Sequence, residues 1–277
     1  MKLEKIFALM LSSVFAAAIF TGCGGETQSN SNSIKMGMLQ QLNASEQEFN
    51  GFMKTISETF ALNTNPHEVT YFNNLNTMQM ALESGQIDEI STYKCVADYL
   101  NSRNPKIEII EGHTMEFIDA FCFALRADET ELKNSLDAAI SEMQNDGTLK
   151  KLTDEYIKPS ENLPAVEFEN FDGAQTLKVA VTGDLPPLDM VSADGNAAGF
   201  NTAVLAEIGK RLQKNIEIVQ VDSAARSAAL TSGQADIVFW AIVPVSEIIP
   251  ANADKPDGIE LTTPYYRGRI VHIGLKK

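Results

Sequence analysis

The phrase Leu-x-Ser-Gly-Gln-x-Asp occurs twice in this chain, at Leu82 to Asp88 and at Leu230 to Asp236. Each copy closes an apolar helical run and opens a β-rich one. Gly85 and Gly233 supply the left-handed residue just past a helix end, a conformation that costs glycine nothing. A chain that makes the same helix-stop-strand move twice is expected to build two similar α/β lobes with a cleft between them.

Local patterns fill in each lobe. Ile34 to Leu39 reads as a strand, and Ser45 with Glu48 forms a capping box that opens a helix with Phe49, Phe52, Met53, Ile56 and Phe60 as its apolar stripe. Val69 to Phe72 is a strand, Asn76 caps a short helix, and Ile87 to Ser91 is the next strand. Alternation of strand and helix implies parallel pairing. Val96 to Leu100 reads as a helix, followed by strands Ile107 to Ile110 and Phe117 to Leu125, and then helices from Glu129 and from Leu149 to Ile157. A second α/β segment runs from strand Leu177 to Val181 through a helix carrying Val204, Leu205, Ile208 and Leu212. It continues with strand Ile216 to Val221, helix Ala224 to Thr231, strand Asp236 to Trp240 and a final strand Arg269 to Leu275. In open sheets of this kind, ligands bind beyond the carboxyl ends of the strands.

The amino terminus carries Lys2 and Lys5, then the apolar run Ile6 to Phe20, shorter than the roughly 20 residues of a membrane span. Small residues precede Cys23, an arrangement that resembles a bacterial lipoprotein signal. The resemblance implies a signal peptide over 1–22, lipidation of Cys23, and a flexible tether over 23–33; an uncleaved signal anchor is the alternative. Anchorage on an extracytoplasmic membrane face follows from several acyl chains. The formal net charge of −15, with no basic cluster, argues against a nucleic-acid partner. Cys95 and Cys122 are expected to be buried free thiols, with a disulfide as the alternative. His67, His113 and His272 are scattered in sequence without ligand spacing, so neither a metal nor any other cofactor is expected.

The series Val181-Thr-Gly-Asp-Leu-Pro-Pro, Asp194-Gly, Gly199-Phe200, Leu230 to Asp236 and Thr262-Thr-Pro-Tyr-Tyr266 resembles the first lobe of the family 3 extracellular solute-binding proteins of ABC transporters. Residues 34–157 are similar to that family's second lobe, with Phe123-Ala-Leu-Arg, Leu132, Asp146-Gly-Thr-Leu149 and Tyr156 as its closing pattern. The resemblance implies an α/β, periplasmic-binding-protein-like type II fold: two lobes, a hinge and an interlobe cleft. The lobe order is permuted, with the second-lobe pattern at 34–157, a linker at 158–176 and the first-lobe pattern at 177–277. A circular permutation is the simplest account; half-domains pairing between chains are the rival.

The implied function is capture of a small polar solute, an amino acid or related compound, and its delivery to an ABC transporter permease by a monomeric, non-catalytic, lipid-anchored protein. A dehydratase-type enzyme and a surface sensor or partner-binding lipoprotein are the alternatives. The sequence departs from the family's amino-acid pattern. Its carboxylate-binding Arg is matched by Ile248, its ammonium-binding Asp by Tyr93, and its stacking aromatic by Leu185. An unpaired buried zwitterion would cost several kcal/mol, so substitutes are required. Arg226, at the start of a helix, is the substitute for the missing Arg or else an exposed helix-start residue. Trp240 walls the cleft or fills the core. Thr92 and Tyr93 stand at the other lobe's strand exit as hydroxyl donors. Asn43 and Ser45 flank a helix amino terminus suited to an anion, or simply cap it. Asp184 and Glu247 stand on cleft loops, facing a cationic group of the ligand or solvent.

Overall fold

The computed structural model describes residues 33–59, 67–110, 117–157, 163–192, 194–246 and 249–276, with backbone only over 56–59. Cys23 with its leader, the tether to residue 32, the Ile56 side chain, Phe60, His113, the start of the linker, Glu247 and Ile248 lie outside the described residues. No helix among the described residues is long and apolar enough to cross a membrane.

In chain order the elements are β1 (Ile34–Leu39), α1 (Glu46–Thr59), β2 (His67–Phe72), α2 (Leu75–Glu83), β3 (Glu89–Tyr93), α3 (Lys94–Arg103), β4 (Ile107–Ile109), β5 (Ile118–Arg126), α4 (Thr130–Asn145) and α5 (Thr148–Tyr156). There follow β6 (Thr176–Val181), the short strands β7 (Asp184–Leu185), β8 (Asp189–Val191) and β9 (Ala197–Ala198), and α6 (Phe200–Leu212). The chain finishes with β10 (Asn215–Gln220), a 3-10 turn at Ser223–Ala225, α7 (Arg226–Thr231), β11 (Ile237–Pro244), β12 (Ile259–Leu261) and β13 (Tyr266–Leu275). The fold is mixed α/β, as the alternation of elements implied.

Among the described residues the main sheet has the order β10-β6-β11-β5-β13-β3-β1-β2, with β12 added to β5 and β4 to β13. Each end is a parallel trio, β10-β6-β11 and β3-β1-β2. Between them run β5 and β13, antiparallel to each other and to their outer neighbours. Two sheet halves are therefore joined by two crossing strands.

The sheet partners cut across the sequence segments. Strand β5, read with the leading segment, lies along β11 of the trailing one, whereas the end of β13 pairs with β3 and β4 of the leading one. Helices α4 and α5 pack on α6, and Arg211 of α6 reaches Asp146, Glu142 and Thr148. The physical reason is burial. The β5 run from Asp119 to Leu125 is covered throughout, and the α4 stripe Leu136, Ala139, Ile140 and Met143 needs an apolar partner, which α6 supplies through Val204, Leu205 and Ile208 in the same core.

The duplicated phrase makes the same joint in both halves. Gly85 and Gly233 have φ of 73° and 74° and end α2 and α7. The closing Asp then pins the following strand to the half's first strand. Asp88 accepts from the Lys35 amide at 2.9 Å and donates its own amide to the Lys35 carbonyl at 2.8 Å. Asp236 does so with Lys178 at 3.0 and 2.8 Å.

Local details differ from the sequence reading at a few points. The α2 cap is Asn74, whose side chain accepts from the Thr77 amide, rather than Asn76. Strands β7 to β9, between β6 and α6, form a separate small sheet, where Asp189 accepts from the Gly183 amide and the Thr182 hydroxyl. Cys95 and Cys122 are free thiols, and burial pushes both up to about 12.

Candidate functional site

The carboxyl ends of the parallel strands from both halves meet in one buried polar cluster. Arg226 opens α7, yet its side chain is only 2% exposed. Its Nε donates to the Ser223 carbonyl at 3.1 Å, Nη1 to the Trp240 carbonyl at 2.8 Å, and Nη2 to the Gln40 carbonyl at 2.8 Å. Gln40 follows β1, so this last bond joins the halves. The guanidinium also lies 4.6 Å from the Trp240 ring centre, a desolvated cation over an aromatic face.

Trp240 sits at a register shift in β11, with φ at 61°, a conformation that costs a bulky residue about 1 kcal/mol or more. The irregularity turns its ring toward Tyr93 of the other half, edge-on with centroids 6.1 Å apart. Tyr93 donates its hydroxyl to Asp119 Oδ2 at 2.9 Å. Tyr93 and Thr92 are neighbours on β3 and therefore point to opposite faces. Thr92 is buried, and no described hydrogen bond links its hydroxyl to the cluster.

The loop that leads into α1 holds an anion, and the anion is the protein's own. Asp254 Oδ1 accepts from the amides of Asn43 at 2.7 Å and Ala44 at 3.4 Å. Ser45 stands on the exposed side, where its hydroxyl and amide engage Glu48 in the capping box. Nearby, Ser223 donates its amide to the Asn73 carbonyl, and Asp184 accepts the Leu75 amide at 2.6 Å at the head of α2. Asp184 is thus a link between halves, while Leu185 is 1% exposed and belongs to the apolar core. Glu247 lies outside the described residues.

Burial dominates the electrostatics. It pushes Asp254 up to about 6 despite the Asn43 amide and the Arg226 charge, and Asp119 up to about 6 despite the Tyr93 hydroxyl. Asp189, fully enclosed behind the β6 loop, is pushed up to about 7 against the bonds from Gly183 and Thr182. The Arg226 guanidinium is lowered by burial, with Asp254 opposing most strongly. Three polar atoms of the cluster, Trp240 Nε1, Ser223 Oγ and Asp184 Oδ1, are buried without a hydrogen-bond partner among the described residues.

The structure therefore gathers Arg226, Trp240, Tyr93 and the Asn43 backbone, and it leaves Ser45, Thr92 and Leu185 outside. Sequence reasoning missed Asp119, whose signal was a lone charge inside an apolar strand, and Asp254, which nothing in its loop marked. It also missed that two of the scattered histidines converge: His67 Nε2 lies 3.5 Å and His272 Nδ1 2.9 Å from Glu89 Oε2. Strands far apart in sequence are adjacent in the sheet, which spacing alone could not reveal.

Residues 177–248 match the model of the bacterial extracellular solute-binding proteins, family 3. No curated protein matches the chain by sequence. Similar solved structures include a pheromone cOB1 precursor/lipoprotein of the YaeC family from Enterococcus faecalis, at 15% identity and TM-score 0.44, covering 88% of this chain and 85% of that one. The substrate-binding protein of a methionine transporter from Streptococcus pneumoniae is 12% identical with TM-score 0.43, covering 89% and 82%. A periplasmic substrate-binding protein of an ABC transporter from Coxiella burnetii is 14% identical with TM-score 0.39, covering 87% and 84%.

Proposed function

We propose that this chain is a lipid-anchored, extracytoplasmic solute-binding protein that holds a small polar solute, an amino acid or related compound, between its two sheet halves and presents it to an ABC importer. The observation that carries the reading is the Arg226 cluster, in which loops at the strand ends of both halves contribute to one buried polar site. The family match over residues 177–248 supports it. Arg226 faces Gln40, Asp254 faces Asn43, Tyr93 faces Trp240, and each pair spans the halves. A solute carboxylate suits the Asn43 and Ala44 amides beside the Arg226 charge. Trp240 Nε1, Ser223 Oγ and Asp184 Oδ1 are the buried atoms such a solute would satisfy. Closure around it is a hinge motion about β5 and β13.

The order of the halves is read as a circular permutation of the family's order, with the second-lobe pattern leading and residues 158–176 joining the old ends. Cys23 is the proposed anchor.

Trp240 is the only tryptophan, so its fluorescence reports on the site directly. Titration of the full chain with amino acids, short peptides, amines and organic acids, alongside thermal shift, is expected to give a saturable fluorescence change and a raised melting temperature for one class. Arg226→Ala is expected to abolish both. A solute that raises the melting temperature equally in Arg226→Ala and leaves Trp240 fluorescence unchanged would move the site elsewhere.

A further inference from the structure

His67 is the first residue of β2, Glu89 the first of β3, and His272 lies on β13. The register pairs Met36 with both Val69 and Glu89, and Ser91 with His272. By strand alternation His67, Glu89 and His272 therefore share one face. Their Nε2, Oε2 and Nδ1 atoms all lie within 4.8 Å of one another. All three side chains are largely buried, at 12%, 10% and 16% exposure.

We propose that His67 Nε2, Glu89 Oε2 and His272 Nδ1 form a binding site for a divalent first-row transition metal such as zinc. Two imidazoles and a carboxylate are a three-ligand set for such ions, with a further position open to water. Metal-ligand bonds of about 2.0–2.2 Å in a tetrahedral site put ligand atoms roughly 3.3–3.6 Å apart. The 3.5 Å separation from His67 meets this directly, and the 2.9 Å separation from His272 needs only a small outward rotation. One carboxylate oxygen facing two imidazole nitrogens is a geometry in which a cation replaces two ring protons.

The place of the site gives it a role separate from solute capture. Tyr93 ends the strand that Glu89 begins, about 13 Å further along at 3.3 Å per residue. The metal would sit at the amino ends of the parallel strands, away from the cluster. It would fasten β13, a crossing strand, to β3 and to the sheet-edge strand β2. This reading stands whether or not the solute assignment does.

The test uses the full chain without an affinity tag, purified in detergent and stripped with chelator, titrated with Zn²⁺ by calorimetry and with Co²⁺ by visible absorption. A single equivalent is expected to bind with a micromolar or tighter constant, to raise the melting temperature, and to give Co²⁺ an absorption of low-symmetry, nitrogen-ligated character. His67→Gln, Glu89→Gln and His272→Gln are each expected to weaken binding by at least about tenfold. A wild-type chain that takes up no stoichiometric Zn²⁺ or Co²⁺ overturns the proposal, whatever the variants do. So does stoichiometric binding that survives undiminished in every variant that folds.

Discussion

Asp254 places its Oδ1 2.7 Å from the amide nitrogen of Asn43, so a carboxylate from the trailing half fills a pair of loop amides just ahead of α1 in the leading half. The carboxylate accepts from two backbone N–H groups, and the bonds are shielded because Asp254 is 6% exposed. The contact has the form of ligand recognition carried out internally. The Asn43 amide and the Arg226 charge both favour the ionised form of Asp254 against the effect of burial.

If the amide pair is where a solute carboxylate docks, Asp254 is its competitor. Asp254→Ala is then expected to tighten binding of a carboxylate-bearing solute by about tenfold, and Asp254→Asn, which keeps a weaker acceptor, by less. Trp240 fluorescence titration measures both. A tenfold loss in Asp254→Ala would make Asp254 a solute contact instead.

Stability should fall as pH rises through the neutral range. Asp119 and Asp254 at about 6 and Asp189 at about 7 lie above the ordinary unfolded value near 4. Between those values the folded chain holds more protons than the unfolded one, so the stability these protons confer is complete below about pH 4 and is lost as each group ionises. The effect is on the order of 2 kcal/mol per carboxylate. Melting temperature measured from about pH 5 to 8 should decline. Asp189→Asn, which retains an acceptor for the Gly183 amide and Thr182 hydroxyl, should flatten the decline and be the more stable protein at pH 8. A decline of undiminished slope in Asp189→Asn would remove that residue from the account.

What the sequence made legible was local. Gly85 and Gly233 and the Ser45–Glu48 box each depend on residues within a few positions, and each lies where the local pattern put it. Arg226 and Trp240 were legible as candidates because a charged helix start and a lone tryptophan at a strand exit are conspicuous. Thr92 was read together with Tyr93 because the two adjoin in sequence, yet neighbours on a strand point to opposite faces. Asp254 and the His67–Glu89–His272 trio were invisible because their partners lie on elements far apart in sequence, β2 and β3 meeting across β1 and β13 returning to lie beside β3. The crossing of β5 and β13 hid the destination of β5, whose continuous apolar run fits either half equally well until its neighbours are known.

Tyr93→Phe should be costly out of proportion to one oxygen. It deletes the donor to Asp119 in a buried site and leaves the carboxyl group without that bond, a loss of about 1–3 kcal/mol. Asp119→Asn leaves an acceptor for the same hydroxyl and should cost less. In the double variant Tyr93→Phe/Asp119→Asn the two costs should not add, because they share one contact. Urea denaturation of the four proteins measures the coupling, and strict additivity would mean that the hydroxyl and the carboxyl do not interact.

The crossing itself is tested by a single methyl group. Gly268 on β13 pairs with Asp119 on β5, and a Cβ there would stand 2.8 Å from Tyr93 Cδ1 and 3.2 Å from two atoms of the Phe121 ring. Phe121 is fully buried and Tyr93 is wedged between it and Trp240, so neither ring can yield without moving the cluster. Gly268→Ala should therefore destabilise by about 1–3 kcal/mol and, by displacing Tyr93 from Asp119, alter Trp240 fluorescence in the same sample. Gly51→Ala provides the opposite case. It lies inside α1 with nothing within 4 Å of the new methyl, so helix propensity alone decides and the change should stabilise by up to about 1 kcal/mol. Two substitutions of identical chemistry with opposite signs would tie the effect to the crossing; equal effects would show that packing at β5 and β13 does not hold Tyr93 in place.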